Sequence, residues 1–402
     1  MRLESIKKIQ IICLIAIILF LILFLKASYN QWPFTKIGSD FTAYWASTQL
    51  LINGENPYLS GQIFALEKLV GWTKKIPTVT YSPPWVLTFI IPFALENYQL
   101  GKFLWLLFIF ICILICSIWL WEFYGGTDAG RNWVLLILFT YVPLYYTFIM
   151  GQIVPLILLG IAGFLHFERQ KKWFLAGVFV CLVGIKPQDS YLFFIALLFW
   201  IIYKKRWGVL LGAGCATFLI TAIPLLYNPS IFFQYYTESV AQSFQYYWQS
   251  PTLGYWLRSL LGKEKHFLQY FSTIVGTAWF FYYWHRNYAK WEWAEQVPIL
   301  IFMSLITTFY VWSHDYLLLI VAIIQAGVWF INEPLHTYSK FMIFIYVIIN
   351  LMAWVTTFSA RSEKWFIWIV PALFINYLLI KNFYIKANAK AHQLSWNEKP
   401  SA

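Results

Sequence analysis

Long apolar runs broken by short polar intervals recur along almost the whole chain. They fall near 8 to 26, 101 to 121, 133 to 149, 152 to 167, 173 to 187, 189 to 203, 207 to 226, 267 to 284, 297 to 312, 316 to 331, 340 to 358 and 365 to 381. An α-helix needs about 20 apolar residues to cross a bilayer, and these runs are of that order. The pattern predicts an all-α polytopic membrane protein with about twelve transmembrane helices. PPWVLTFIIPFAL (83 to 95) is apolar but short, with a proline near its end, and reads as an interfacial or re-entrant helix. Two longer intervals, 27 to 100 and 227 to 265, carry mixed polar and aromatic residues and predict juxtamembrane helices. The whole chain, 1 to 402, reads as one integral membrane domain.

Composition agrees: 60% of residues are hydrophobic, 22% aromatic and 11% charged, which excludes a soluble domain of this length. The first run follows Arg2, Lys7 and Lys8 and lacks a small-residue cleavage site, so it is expected to be retained as a helix. The net charge of +12 comes from Lys and Arg gathered in short loops, a topology signal that does not call for nucleic acid as a partner. Cys13, Cys112, Cys116, Cys181 and Cys215 all lie in apolar runs, and neither a disulfide framework nor a metal site is suggested. Metal dependence stays open.

Charge then sets orientation. With 83 to 95 at the surface and the N-terminus cytoplasmic, the loops ERQKK (168 to 172), YKKRW (203 to 207) and HRNYAK (285 to 290) face the cytoplasm, as does the basic tail after Lys381. More than half of the 29 Lys and Arg are then inside. Counting 83 to 95 as a span would put the first two basic loops outside. In the favoured arrangement the loop bearing Asp40, Gly151 with Gln152, Lys186, and His314 with Asp315 all reach the outer face of the membrane. So does 227 to 265, rich in Tyr, Gln and Trp, which suits both a headgroup zone and sugar stacking.

Asp40, followed by Phe41, Tyr44 and Trp45 in an apolar setting, is the strongest candidate for chemistry. Lys186 precedes Pro187, with Asp189 three residues on; a snorkelling helix-end lysine, an ion pair with Asp189 and a phosphate ligand all fit. His314 and Asp315 interrupt apolar sequence, where ionisable residues are expensive and mark function or a helix boundary. Gln152 carries little signal alone, and Arg258 at a headgroup boundary carries less. No small-xxx-small face stands out, so oligomeric state is open.

SDFTAYWASTQLLINGENPY (39 to 58) resembles the Asp-bearing first outer loop of glycosyltransferase family 87, polyprenyl-phosphate-sugar-dependent enzymes of the C-type superfamily. YSPPWVLTFIIPFAL (81 to 95), GQIVP (151 to 155), AGVFVCLVGIKPQ (176 to 188) and VWSHDYLLL (311 to 319) are similar to further family segments, in order and spacing. Ile153 stands where the family often has Asn. The resemblance implies a C-type glycosyltransferase fold and a hexosyltransferase of the plasma membrane, in agreement with the cytoplasmic termini expected from charge. It implies a polyprenyl-phosphate sugar donor, with mannose a common hexose, and a lipid or glycan acceptor, without a cofactor. On this reading Asp40 is the general base, with His314 the other candidate; Lys186 and Arg258 hold the donor phosphate. Tyr44, Tyr81, Gln152 and Asp315 line the substrate pocket. A flippase or transporter of lipid-linked sugars is the competing reading, against which stand the gathering of ionisable residues at one face and the lack of an internal repeat.

Overall fold

The computed structural model describes residues 39–78, 80–241, 248–332, 337–360 and 362–397. The expected first span, 8 to 26, the start of the first outer loop, residues 242–247 of the second, and Cys13 lie outside them. The described chain is helical, and no strand occurs in it. Its main helices are α1 (Ser39–Ile52), α2 (Ser60–Leu69), α3 (Pro84–Ala94), α4 (Tyr98–Phe123), α5 (Asn132–Thr140), α6 (Val142–Met150), α7 (Val154–Arg169) and α8 (Trp173–Val183). After these come α9 (Tyr191–Lys204), α10 (Trp207–Tyr227), α11 (Leu253–Leu261), α12 (Leu268–Asn287), α13 (Trp293–Thr307), α14 (Ile320–Asn332), α15 (Thr337–Ser359) and α16 (Ile369–Asn397).

Among the described residues, five helical stretches are long and apolar enough to cross a membrane: Tyr98–Phe123, Trp207–Tyr227, Ser313–Asn332, Lys340–Ser359 and Glu363–Lys386. A sixth arises if α5 and α6 are one broken span. The protein is therefore a multi-pass membrane protein. The run 133 to 149, read as one helix, is instead two pieces bent by 64°. Tyr141 is extended at the break and Pro143 lies in the first turn of α6, where its missing N–H and fixed φ favour starting a helix over continuing one.

Burial follows an apolar logic throughout. Trp105, Trp121, Tyr141, Phe164, Phe193, Phe302 and Tyr316 are fully buried in one continuous core. By contrast α10 turns Leu210, Leu211, Phe218 and Leu219 outward, as a helix facing hydrocarbon does. The stretch Ser313–Asn332 is largely buried, at the centre of the bundle.

Small residues close one helix pair. A β-carbon on Gly177 of α8 would lie 2.0 Å from the Val209 carbonyl oxygen, and one on Gly212 of α10 would lie 2.0 Å from the Phe174 carbonyl oxygen. Gly208 and Gly212 thus form a small-xxx-small face, contrary to the reading from sequence, and it serves packing within the chain. Gly212→Val forces two backbones apart, and overpacking of this kind typically costs about 1–3 kcal/mol. The expected outcome is a lowered thermal midpoint of the detergent-solubilised variant with unaltered helix content at low temperature; an unchanged midpoint would show the contact to be slack.

Candidate active site

Three helix ends and one buried turn bring the polar residues together. Asp40 lies in the first described turn of α1, and Tyr44, four residues on, shares its face. Helix α6 ends in a left-handed Gly151, φ 66°, a conformation in which a side chain would be strained. Gly151 N–H donates to the Phe148 carbonyl at 3.1 Å and Gln152 N–H to the Thr147 carbonyl at 3.0 Å, a Schellman closure. The Trp105 indole N–H holds the Gly151 carbonyl at 2.8 Å, and the Gln152 side chain is left buried and facing α1.

Lys186 follows α8 outside helical backbone, φ −134° and ψ 78°, in keeping with the bias against the α region that Pro187 imposes on the residue before it. His314 and Asp315 open a 3-10 turn, Ser313–Leu319, that runs straight into α14. The Thr147 hydroxyl fixes that turn to α6 by donating to the His314 carbonyl at 3.2 Å.

The contacts form one chain. Gln152 Nε2 donates to Asp40 Oδ2, and Gln152 Oε1 accepts from Lys186 Nζ at 3.3 Å and from the Tyr44 hydroxyl at 3.4 Å. Lys186 Nζ donates to Asp315 Oδ1 at 2.8 Å and stands 3.4 Å from His314 Nε2, which is itself 3.4 Å from Asp315 Oδ1. The other Asp315 oxygen accepts from the Trp312 N–H at 2.8 Å. The Lys186–Asp315 pair is buried, with side-chain exposures of 15% and 1%. Such a pair is tolerated only when further hydrogen bonds satisfy its remaining atoms, as Gln152 and Trp312 do here.

Asp40 is half-buried, and burial pushes its carboxyl up from the ordinary carboxylate range against the pull of the Lys186 ammonium and the Gln152 amide. A carboxyl so placed is a better proton acceptor than a solvated one.

Six of the eight expected side chains therefore meet: Asp40, Tyr44, Gln152, Lys186, His314 and Asp315. Asp189, read from its spacing as a possible ion partner of Lys186, gives way to Asp315; Asp189 is fully buried within the same lysine's field. Tyr81 stands at the rim, 39% exposed, on a strap tied down by Ser47 to Thr80 at 2.8 Å and by Tyr58 to the Ser82 carbonyl at 3.1 Å. Ser82 also hydrogen-bonds the Tyr44 hydroxyl. Arg258 donates to the Lys263 carbonyl at 2.8 Å and to Gln269 Oε1 at 3.1 Å, and Gln269 in turn donates to the Phe309 carbonyl at 2.5 Å. Glu363, not expected from sequence, accepts from the Ser313 N–H at 3.2 Å and fixes the same turn from the other side. No signal near Glu363 foretells that contact with a residue 50 positions away.

The helical bundle thus gathers a carboxylate, an amide, a lysine and a histidine into one polar chain within a multi-pass membrane protein. The chain belongs to glycosyltransferase family 87, whose family model matches residues 80–308, more than half of its length. The protein is a glycosyltransferase, acting on a sugar donor and an acceptor. The match includes Tyr81, Gln152, Lys186 and Arg258, while Asp40, Tyr44, His314 and Asp315 lie outside it. No significant match is found among curated proteins or among solved structures.

Proposed function

We propose that the protein moves a hexose, with mannose the first to test, from a polyprenyl-phosphate sugar to a lipid or glycan acceptor at the outer face of the plasma membrane. The observation that carries this reading is the placement of a carboxylate and a cation on the two sides of one amide, Asp40 and Lys186 on Gln152. Nucleotide sugars are made in the cytoplasm, so an outward-facing transferase requires a donor that crosses the bilayer, and a lipid-linked sugar phosphate meets that need. The topology belongs to the proposal: the shorter apolar helices complete about twelve spans of a C-type fold, both termini are cytoplasmic, and the intervals 27 to 100 and 227 to 265 lie outside.

In the reaction the acceptor oxygen forms a bond to the anomeric carbon as the bond from that carbon to the phosphate oxygen breaks. The phosphate leaves with the electron pair, and the acceptor's proton passes to Asp40. A phosphate leaving group needs no proton; it needs its charge met, and Lys186 is the cation placed to do so. Arg258, also expected at the phosphate, is assigned no contact with it here, its guanidinium being engaged by Lys263 and Gln269. His314, beside Lys186 and Asp315, serves the phosphate side of the pocket, and Tyr44 keeps Gln152 oriented. A single displacement inverts the anomeric configuration, so the product's anomeric proton coupling tests the mechanism; retention, or a trapped glycosyl-enzyme, would overturn it.

The raised carboxyl of Asp40 gives a pH signature. A general base works in its deprotonated form, so kcat/KM rises as pH passes upward through the Asp40 pKa, and the acid limb is expected above the ordinary carboxylate value of about 4. The pH profile of transfer checks this; a limb at or below that value would remove Asp40 from the base role.

A further inference from the structure

Beside the polar chain stands an aromatic group that the mechanism leaves unused. The Trp248 ring lies 4.8 Å from Tyr81 edge-on, 5.1 Å from Tyr310 and 6.3 Å from Trp312, measured between centroids. Two segments far apart in sequence, one bearing Tyr81 and one bearing Tyr310 and Trp312, thus converge on one indole. The group is rigidly tied to the site: the Trp312 indole N–H donates to the Tyr310 hydroxyl, and the Trp312 main-chain N–H donates to Asp315. Tyr310 lies in the field of Lys186 and Asp315. None of the three is closed off: Trp248, Tyr310 and Trp312 are half-buried, and Tyr81 is exposed at the rim.

We infer that Trp248, braced by Tyr81, Tyr310 and Trp312, is the platform on which a sugar ring of the acceptor stacks. The inference rests on the glycosyl-transfer reading above and names the residue that selects its acceptor. The chemistry selects the occupant in two steps. Aromatic faces attract the apolar C–H face of a pyranose and offer nothing to a phosphate, which belongs with Lys186. Of the two sugar rings in the reaction, the donor's is fixed by its phosphate at the buried lysine, and the rim position of Tyr81 serves a ring that arrives from outside. Trp248 is then a specificity-determining residue, and it touches no atom that changes bonding.

The test uses the full-length chain in detergent with a polyprenyl-phosphate hexose as donor and a panel of sugar-bearing acceptors, comparing wild type with Trp248→Ala, Trp248→Leu and Trp248→Phe. Loss of the aromatic face is expected to raise acceptor KM about tenfold or more in the alanine and leucine variants, with the phenylalanine variant near wild type. Donor KM and acceptor-independent donor hydrolysis are expected to hold in all three, which also reports folding. The leucine variant keeps an apolar side chain in place, so it decides the matter if the alanine variant unfolds. Leucine equal to wild type, or a rise in donor KM with acceptor KM unchanged, overturns the platform. If the wild type transfers to acceptors without any sugar as well as to those with one, the platform falls while transfer stands; if it transfers to none, the glycosyl-transfer reading falls as well.

Discussion

Asp40→Asn is expected to lower kcat for sugar transfer by about 10²- to 10⁴-fold, the usual contribution of a positioned general base. Asparagine keeps the size of the side chain, and its carbonyl oxygen still accepts from Gln152 Nε2. What it loses is the ability to take a proton. The donor phosphate, assigned to Lys186, keeps its partner, so donor affinity is expected to change little. A variant that lost both rate and donor binding would show Asp40 to be structural, and one that kept its rate would move the base to His314. The acid limb of the pH profile should flatten in the same variant.

Lys186→Met should act on stability and on activity together. Methionine matches the lysine stem in length, but the Asp315 carboxylate, 1% exposed, then lies buried with its cation gone. Removing one partner of a buried pair costs about 3–5 kcal/mol, and a lowered thermal midpoint measures it. The double variant Lys186→Met with Asp315→Leu removes both charges and is expected to regain much of that stability. Activity should not return in the double variant, because the leaving phosphate has lost its cation. A single variant as stable as the wild type would mean that the pair is not what holds these two segments together. Transfer restored in the double variant would place the phosphate elsewhere.

The helical class and most helix positions were legible because apolar runs near bilayer length have few other uses. Pro143 was a readable break signal inside 133 to 149, yet the run's overall hydropathy concealed it, and the 64° bend that turns α6 toward the site went unpredicted. Asp40, Lys186, His314 and Asp315 were visible one by one as ionisable residues in apolar surroundings. Their partners were not. Lys186 pairs with Asp315 across 129 positions in place of Asp189 three positions away, since burial of both helix ends and not sequence proximity decides which carboxylate it meets. Gln152 carried little signal beyond its place in GQIVP, and its bridging place follows from the left-handed Gly151 that precedes it. The tie from Glu363 to Ser313 and the convergence on Trp248 are products of tertiary packing alone.

The most direct measurement is transfer from a panel of short-chain polyprenyl-phosphate sugars to crude lipid acceptors, run in parallel on purified wild type and Asp40→Asn, with donor binding measured on both. The account predicts transfer by the wild type and its loss, with donor binding retained, in the variant. Movement of the lipid-linked sugar across liposomes by wild-type protein, with no transfer from any donor in the panel, would contradict it and leave translocation as the function.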